Sequence, residues 1–65
     1  MDDSEDIPCE IIKEKGDGIF LRKYEDGEPI EAWFPSSQIV FKRRNNKTGK
    51  VIANIPDWLL DKKGW

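Results

Sequence analysis

The chain has 65 residues, 37% of them hydrophobic and 37% charged, with a formal net charge of −2. A chain this short buries only about 60% of the surface it exposes when unfolded, so it makes one small domain whose core takes nearly every apolar side chain. With no His and a single Cys, Cys9, it cannot assemble a Cys/His zinc site, a His-activated nucleophile or an internal disulfide, and no apolar run is long enough for a membrane span or a signal-peptide core. These exclusions predict a small soluble binding module, not an enzyme, with neither metal nor cofactor, and the single cysteine fits a cytoplasmic setting.

Residues 1–7 are acidic and almost free of apolar groups, which predicts a frayed, disordered tail ahead of a single domain over 8–65. From Pro8 onward, short apolar segments alternate with turn residues at regular spacing, the pattern of a small all-β domain. Strand one is expected over Cys9–Lys15 and strand two over Ile19–Tyr24, joined by Gly16-Asp17-Gly18. Asp26-Gly27 supplies the positive φ angles of a tight hairpin into strand three, Pro29–Phe34, where Pro29 belongs at a strand start or on an edge. Strand four, Ile39–Arg44, and strand five, Lys50–Ile55, are joined by Asn45-Asn46-Lys47-Thr48-Gly49, with Gly49 left-handed.

The C-terminal segment follows helical rules. Pro56 suits a first helical position, Asp57 and the pair Lys62 and Lys63 complement the helix dipole, and Gly64 reads as the left-handed stop that sets Trp65 against Leu60. Two turns of helix are not stable alone, so Trp58, Leu59 or Leu60 must dock on the sheet.

Strand parity places Ile19, Leu21, Ile30, Ala32, Phe34, Ile39, Phe41, Val51, Ala53 and Ile55 on the inner face. The outer face then carries Phe20, Arg22, Tyr24, Glu31, Trp33, Val40, Lys42, Arg44, Lys50, Ile52 and Asn54. Phe20, Trp33, Val40 and Ile52 would form an apolar patch there, covered by the terminal helix through Trp58 and Leu59, by a nucleobase, or by a protein surface. The fold expected is a five-stranded SH3-like or OB-like barrel with one short C-terminal α-helix.

Two stretches carry resemblances. Phe34, Pro35, Ser36 and Val40 resemble the turn of SH3 domains in which Pro and Ser lead into a single 3₁₀ turn, although the aromatic strand that binds proline-rich peptides in that family has no counterpart here. Trp33, Pro35, Ser37 and Gln38, together with Pro56, Trp58, Leu59, Lys62 and Gly64, are similar to small phage and bacterial barrel proteins that pair a Trp-x-Pro-x-Ser-Gln turn with a Pro-x-Trp-Leu-x-x-Lys-x-Gly helix. That likeness spans about half the chain and implies a compact barrel of phage type. It brings no activity and no functional residues.

Charge is unevenly spread. Residues 1–31 hold eleven acidic and four basic side chains, whereas residues 32–65 hold two acidic and seven basic ones. Lys42, Arg43, Arg44, Lys47 and Lys50 put five positive charges on the strand-four to strand-five hairpin with no acid between them. With Arg22 and the aromatics Phe20, Tyr24 and Trp33, this is the combination of basic loop and stacking surface that oligonucleotide-binding barrels use. Gly16-x-Gly18 reads as a turn and not a phosphate loop, the clustered acids lack calcium-loop spacing, and Cys9 reads as a small hydrophobe. The expected function is binding of nucleic acid, single-stranded, by a monomer or homodimer. The alternative is a protein-interaction module, an adaptor or inhibitor of phage type, docking through Trp33 and Trp58.

Overall fold

Local turn chemistry builds the first half of the molecule. Gly16 takes a φ of 58° and folds β1 (Ser4–Lys15) back onto β2 (Gly18–Glu25), with Lys15 opposite Gly18. Asp26 and Gly27 both have positive φ, 53° and 81°, as a type I′ turn requires, and Glu25 stands opposite Glu28 at the start of β3 (Glu28–Pro35). A 3₁₀ turn, Ser36–Gln38, passes the chain to β4 (Val40–Arg44), followed by β5 (Lys50–Pro56) and α1 (Asp57–Lys63). Pro35 precedes that 3₁₀ turn and no side chain caps it; Ser36 instead donates its backbone N–H to the carbonyl of Asp17 (2.8 Å). The structure, a computed structural model, describes residues 3–45 and 47–65, so Met1 and Asp2 of the expected tail and Asn46 of the expected hairpin turn lie outside the described residues.

The five strands form one antiparallel sheet in the order β3-β2-β1-β5-β4, with one short helix after it. β3 and β4 are its edges, and among the described residues no ladder joins them to close the expected barrel. Pro29 lies on the edge strand β3, where its missing N–H costs no ladder bond. β1 is the hinge of the sheet: Ser4–Glu10 pairs with β5, and Glu10–Lys15 pairs with β2. This corrects the frayed tail from Ser4 onward. Ser4, Glu5, Asp6 and Ile7 face Pro56, Ile55, Asn54 and Ala53 in register, because ladder hydrogen bonds are made by backbone groups and an exposed strand face accepts acidic side chains.

The core lies on the face strand parity assigned to it. Ile19, Leu21, Phe34, Ile39, Val51, Ala53 and Ile55 are buried there, with Cys9 added from β1 and Ala32 and Phe41 packed against them. Two register shifts amend that parity. One falls between Ile11 and Lys13 and the other between Phe41 and Arg43, so Arg43 takes the outer position opposite Ile52, and Arg44 comes level with the buried Val51. Arg44 was expected on the outer face. The extra residue of the bulge turns it toward Phe41, whose ring centre is 5.8 Å from the guanidinium carbon.

Helix α1 begins at Asp57 and not at Pro56, because Pro56 still pairs with Ser4 as the last residue of β5 and keeps an extended ψ of 142°. Its other end is a Schellman stop. Gly64 has φ 74°, the N–H of Trp65 donates to Leu60 O (2.8 Å), and the N–H of Gly64 donates to Asp61 O (3.3 Å). Leu59 and Leu60 are buried in the core, and the Trp65 ring meets Phe34 edge-on at 4.8 Å. Lys23 fixes this terminus by donating from Nζ to the Trp65 carbonyl (2.9 Å) while sitting 5.1 Å above its ring. The helix therefore closes the inner face. The expectation that Trp58 and Leu59 together cover the outer aromatic patch is not met: Leu59 is only 2% exposed, but in the inner core, and Trp58 is 56% exposed. No helix of the described residues is long and apolar enough to cross a membrane.

Candidate nucleic-acid interface

A proline shapes the site. The N–H of Ile11 donates to Gly49 O (2.8 Å) and the N–H of Asp57 donates to Asp3 O (2.9 Å), which sets the phase of the β1–β5 ladder. Odd-numbered residues of β1 there turn their backbone groups to β5, so Glu10 and Pro8 turn theirs toward β2. Glu10 pairs with Arg22. Pro8 has no N–H to continue the ladder, and the β1–β2 pairing stops at Glu10. Past that point the two strands part, and a groove of about 880 Å³ opens between them, running across β5 to the β4–β5 hairpin.

The groove gathers side chains from four strands and a turn. Pro8 and Glu10 come from β1, Arg22 and Tyr24 from β2, Lys50 and Ile52 from β5, and Arg43, Arg44, Asn45 and Lys47 from β4 and the following turn. Asn45 organises the hairpin end: its Oδ1 accepts from the N–H groups of Lys47 (3.0 Å) and Thr48 (3.4 Å), and Gly49 has φ 75°. A Cβ on Gly49 would approach Ile11 O at 3.2 Å, and at φ 75° a side chain is strained there in any case, so the position suits glycine.

The cations divide into two groups. Arg22 is clamped to Glu31, with Nη2 to Oε2 at 2.7 Å and Nε to Oε2 at 2.8 Å; that carboxylate, with the Tyr24 phenol behind it, raises the arginine's pKa further. Arg44 reaches Glu14 (3.1 Å) and Lys42 reaches Asp6 (3.2 Å). Asp6 also accepts from the Asn54 amide (2.9 Å); that bond and then Lys42 hold its carboxyl below the ordinary range. Arg43, Lys47 and Lys50 have no carboxylate partner among the described residues, and all three face the groove. Tyr24 stands among them at 58% exposure.

Of the residues singled out in the sequence, Arg22, Tyr24, Arg43, Arg44, Lys47 and Lys50 meet in this groove. Lys42 does not line it; the β4 bulge and Asp6 hold it aside. Phe20 and Trp33 form a separate pair, ring centres 5.1 Å apart, with Trp33 lying over Gly18 and 41% exposed. Phe20 stands opposite Lys13 of β1 and Ile52 opposite Pro8, a separation of about 17 Å at the usual rise per strand residue, so the outer apolar patch expected from parity is split in two. Sequence reasoning missed Pro8, Glu10 and Lys23 as wall residues, and it had Ile52 on the outer face but in a patch with Phe20 and Trp33. The one available signal was a proline set within an otherwise strand-like stretch. Trp58 lies elsewhere again, in a second hollow with Asp3, Gln38, Val40, Asn54, Pro56 and Asp57.

Cys9 also touches the groove wall, but its thiol is buried and burial pushes its pKa up to about 11, which makes it a poor nucleophile at neutral pH. Among the described residues no three of His, Cys, Asp and Glu converge as metal ligands would. Comparison of the chain with protein-family models, with curated proteins and with solved structures finds no match.

Proposed function

We propose that the chain is a small β-sheet module that binds single-stranded nucleic acid in the groove between β1, β2 and the β4–β5 hairpin. One observation supports this above the others: three cations without carboxylate partners among the described residues, Arg43, Lys47 and Lys50, share a concave surface with the exposed ring of Tyr24. Phosphates neutralise the hairpin cations, and a base stacks on Tyr24 against the apolar wall of Pro8 and Ile52. An unstacked base can enter such a groove, whereas a paired base in a duplex presents only its edge. The test is fluorescence anisotropy with a labelled oligonucleotide about ten nucleotides long at low salt. Wild type binds; the double variant Arg43→Glu, Lys47→Glu does not; Tyr24→Ala weakens binding by about 1–3 kcal/mol. Absence of binding by the wild type sinks the proposal.

A second reading is favoured by Trp58 and Val40, 56% and 63% exposed around the other hollow: a protein surface docks there. Trp33 then takes no part, since it packs on Phe20 and Gly18. Loss of a captured partner on Trp58→Ala, with no effect of Trp33→Ala, is the result that reading requires.

A further inference from the structure

Among the described residues, Glu10 is the one carboxylate lining the cationic groove. It occupies the residue of β1 where pairing changes hands, opposite Arg22 on one side and Lys50 on the other, on the same face as both. Of its two cross-strand neighbours, Arg22 is already committed to Glu31 at 2.7 Å and Lys50 forms no ion pair with it, so Glu10 makes no ion pair or side-chain hydrogen bond among the described residues. It is half-buried on the groove wall.

A carboxylate in that place works against phosphate binding, since it subtracts from the field of Arg43, Lys47 and Lys50. Its chemistry is acceptor-only: an ionised carboxylate can bond only to N–H or O–H donors. In a bound single strand, such donors lie on the Watson–Crick edges of the bases and, in RNA, on the 2′-hydroxyl, which does not tell one base from another. Guanine offers two parallel donors, the ring N1–H and the exocyclic amine, which match both carboxylate oxygens. Cytosine and adenine offer an exocyclic amine. Thymine and uracil offer one ring N–H set between two carbonyl oxygens, which a carboxylate repels.

We infer that Glu10 is a base-selecting residue that favours bases carrying an amino group, guanine above all, and disfavours thymine and uracil. The inference rests on the nucleic-acid reading of the groove. A good two-bond pair of this kind discriminates by roughly tenfold or more.

The probes are labelled oligo-dT, oligo-dC, oligo-dA and an oligo-dT carrying two central guanines, each about ten nucleotides long. They are titrated into wild type, Glu10→Gln and Glu10→Ala at one fixed low salt concentration. Glu10→Gln is nearly isosteric and keeps β1 intact, while its amide can donate as well as accept, so it serves thymine. Wild type is expected to bind the guanine-containing oligonucleotide about tenfold more tightly than oligo-dT. Both variants should flatten that preference by gaining affinity for oligo-dT. Equal binding of all four oligonucleotides by wild type overturns the role of Glu10 and leaves the groove reading standing, as does a preference that survives in both variants. Failure of wild type to bind any of the four overturns both.

Discussion

Raising the salt concentration tests the groove quantitatively. Among the described residues, Arg43, Lys47 and Lys50 line it without a carboxylate partner, while Arg22 and Arg44 are engaged by Glu31 and Glu14 and Lys42 by Asp6. Three phosphates neutralised on a single strand give a slope of about −2.1 in log affinity against log salt, so fourfold more salt weakens binding about twentyfold. Replacing any one of the three by Ala removes one contact. The slope then falls to about −1.4, and the same salt step costs about sevenfold. Lys62→Ala, on α1 and away from the groove, leaves the slope where it was. The measurement is a series of anisotropy titrations across salt concentrations for wild type, the three single variants and the Lys62 control. If Lys62→Ala lowers the slope as much as Arg43→Ala, the protein binds by diffuse charge and the groove has no special part.

Two further outcomes concern stability. Leu59→Ala should cost about 3 kcal/mol, since Leu59 is only 2% exposed within the core, and Trp58→Ala about 1 kcal/mol or less at 56% exposure; urea denaturation of each reads both, and equal losses would mean that α1 is an appendage. A chain of 65 residues has only about 3–10 kcal/mol in all, so the first variant forfeits a large share. Cys9 should resist alkylation at pH 8 in the folded protein and react readily in denaturant. Because folding raises its pKa from 9.0 to about 11, its share of stability is complete below pH 9 and disappears as pH climbs through 11. Cys9→Ala should remove that alkaline component, and a wild-type stability curve identical to the variant's between pH 9 and 11 would contradict the burial of the thiol.

What the sequence determined by itself is the local chemistry. Positive φ at Asp26, Gly27, Gly49 and Gly64 follows from residues that tolerate it at turn positions, and the inner face follows from alternation in β2, β3 and β5. The helix stop at Gly64 and Trp65 was legible for the same reason, since its bonds span only five residues. Tertiary structure decided everything that depends on which strand lies beside which. Composition made residues 1–7 look like a tail, yet Ser4–Ile7 pair with β5, because a ladder is built by backbone groups that composition does not report. The bulge at Lys42 reassigned Arg43 and Arg44, because one inserted residue reverses the face of every residue after it in the strand. The groove itself was hidden, because it arises where a proline on β1 faces the end of β2, two segments that turn toward each other only when β5 has taken the other side of β1. Parity within a strand is a property of neighbours in sequence; a site assembled from four strands is a property of register, and register is set by the packing of the whole sheet.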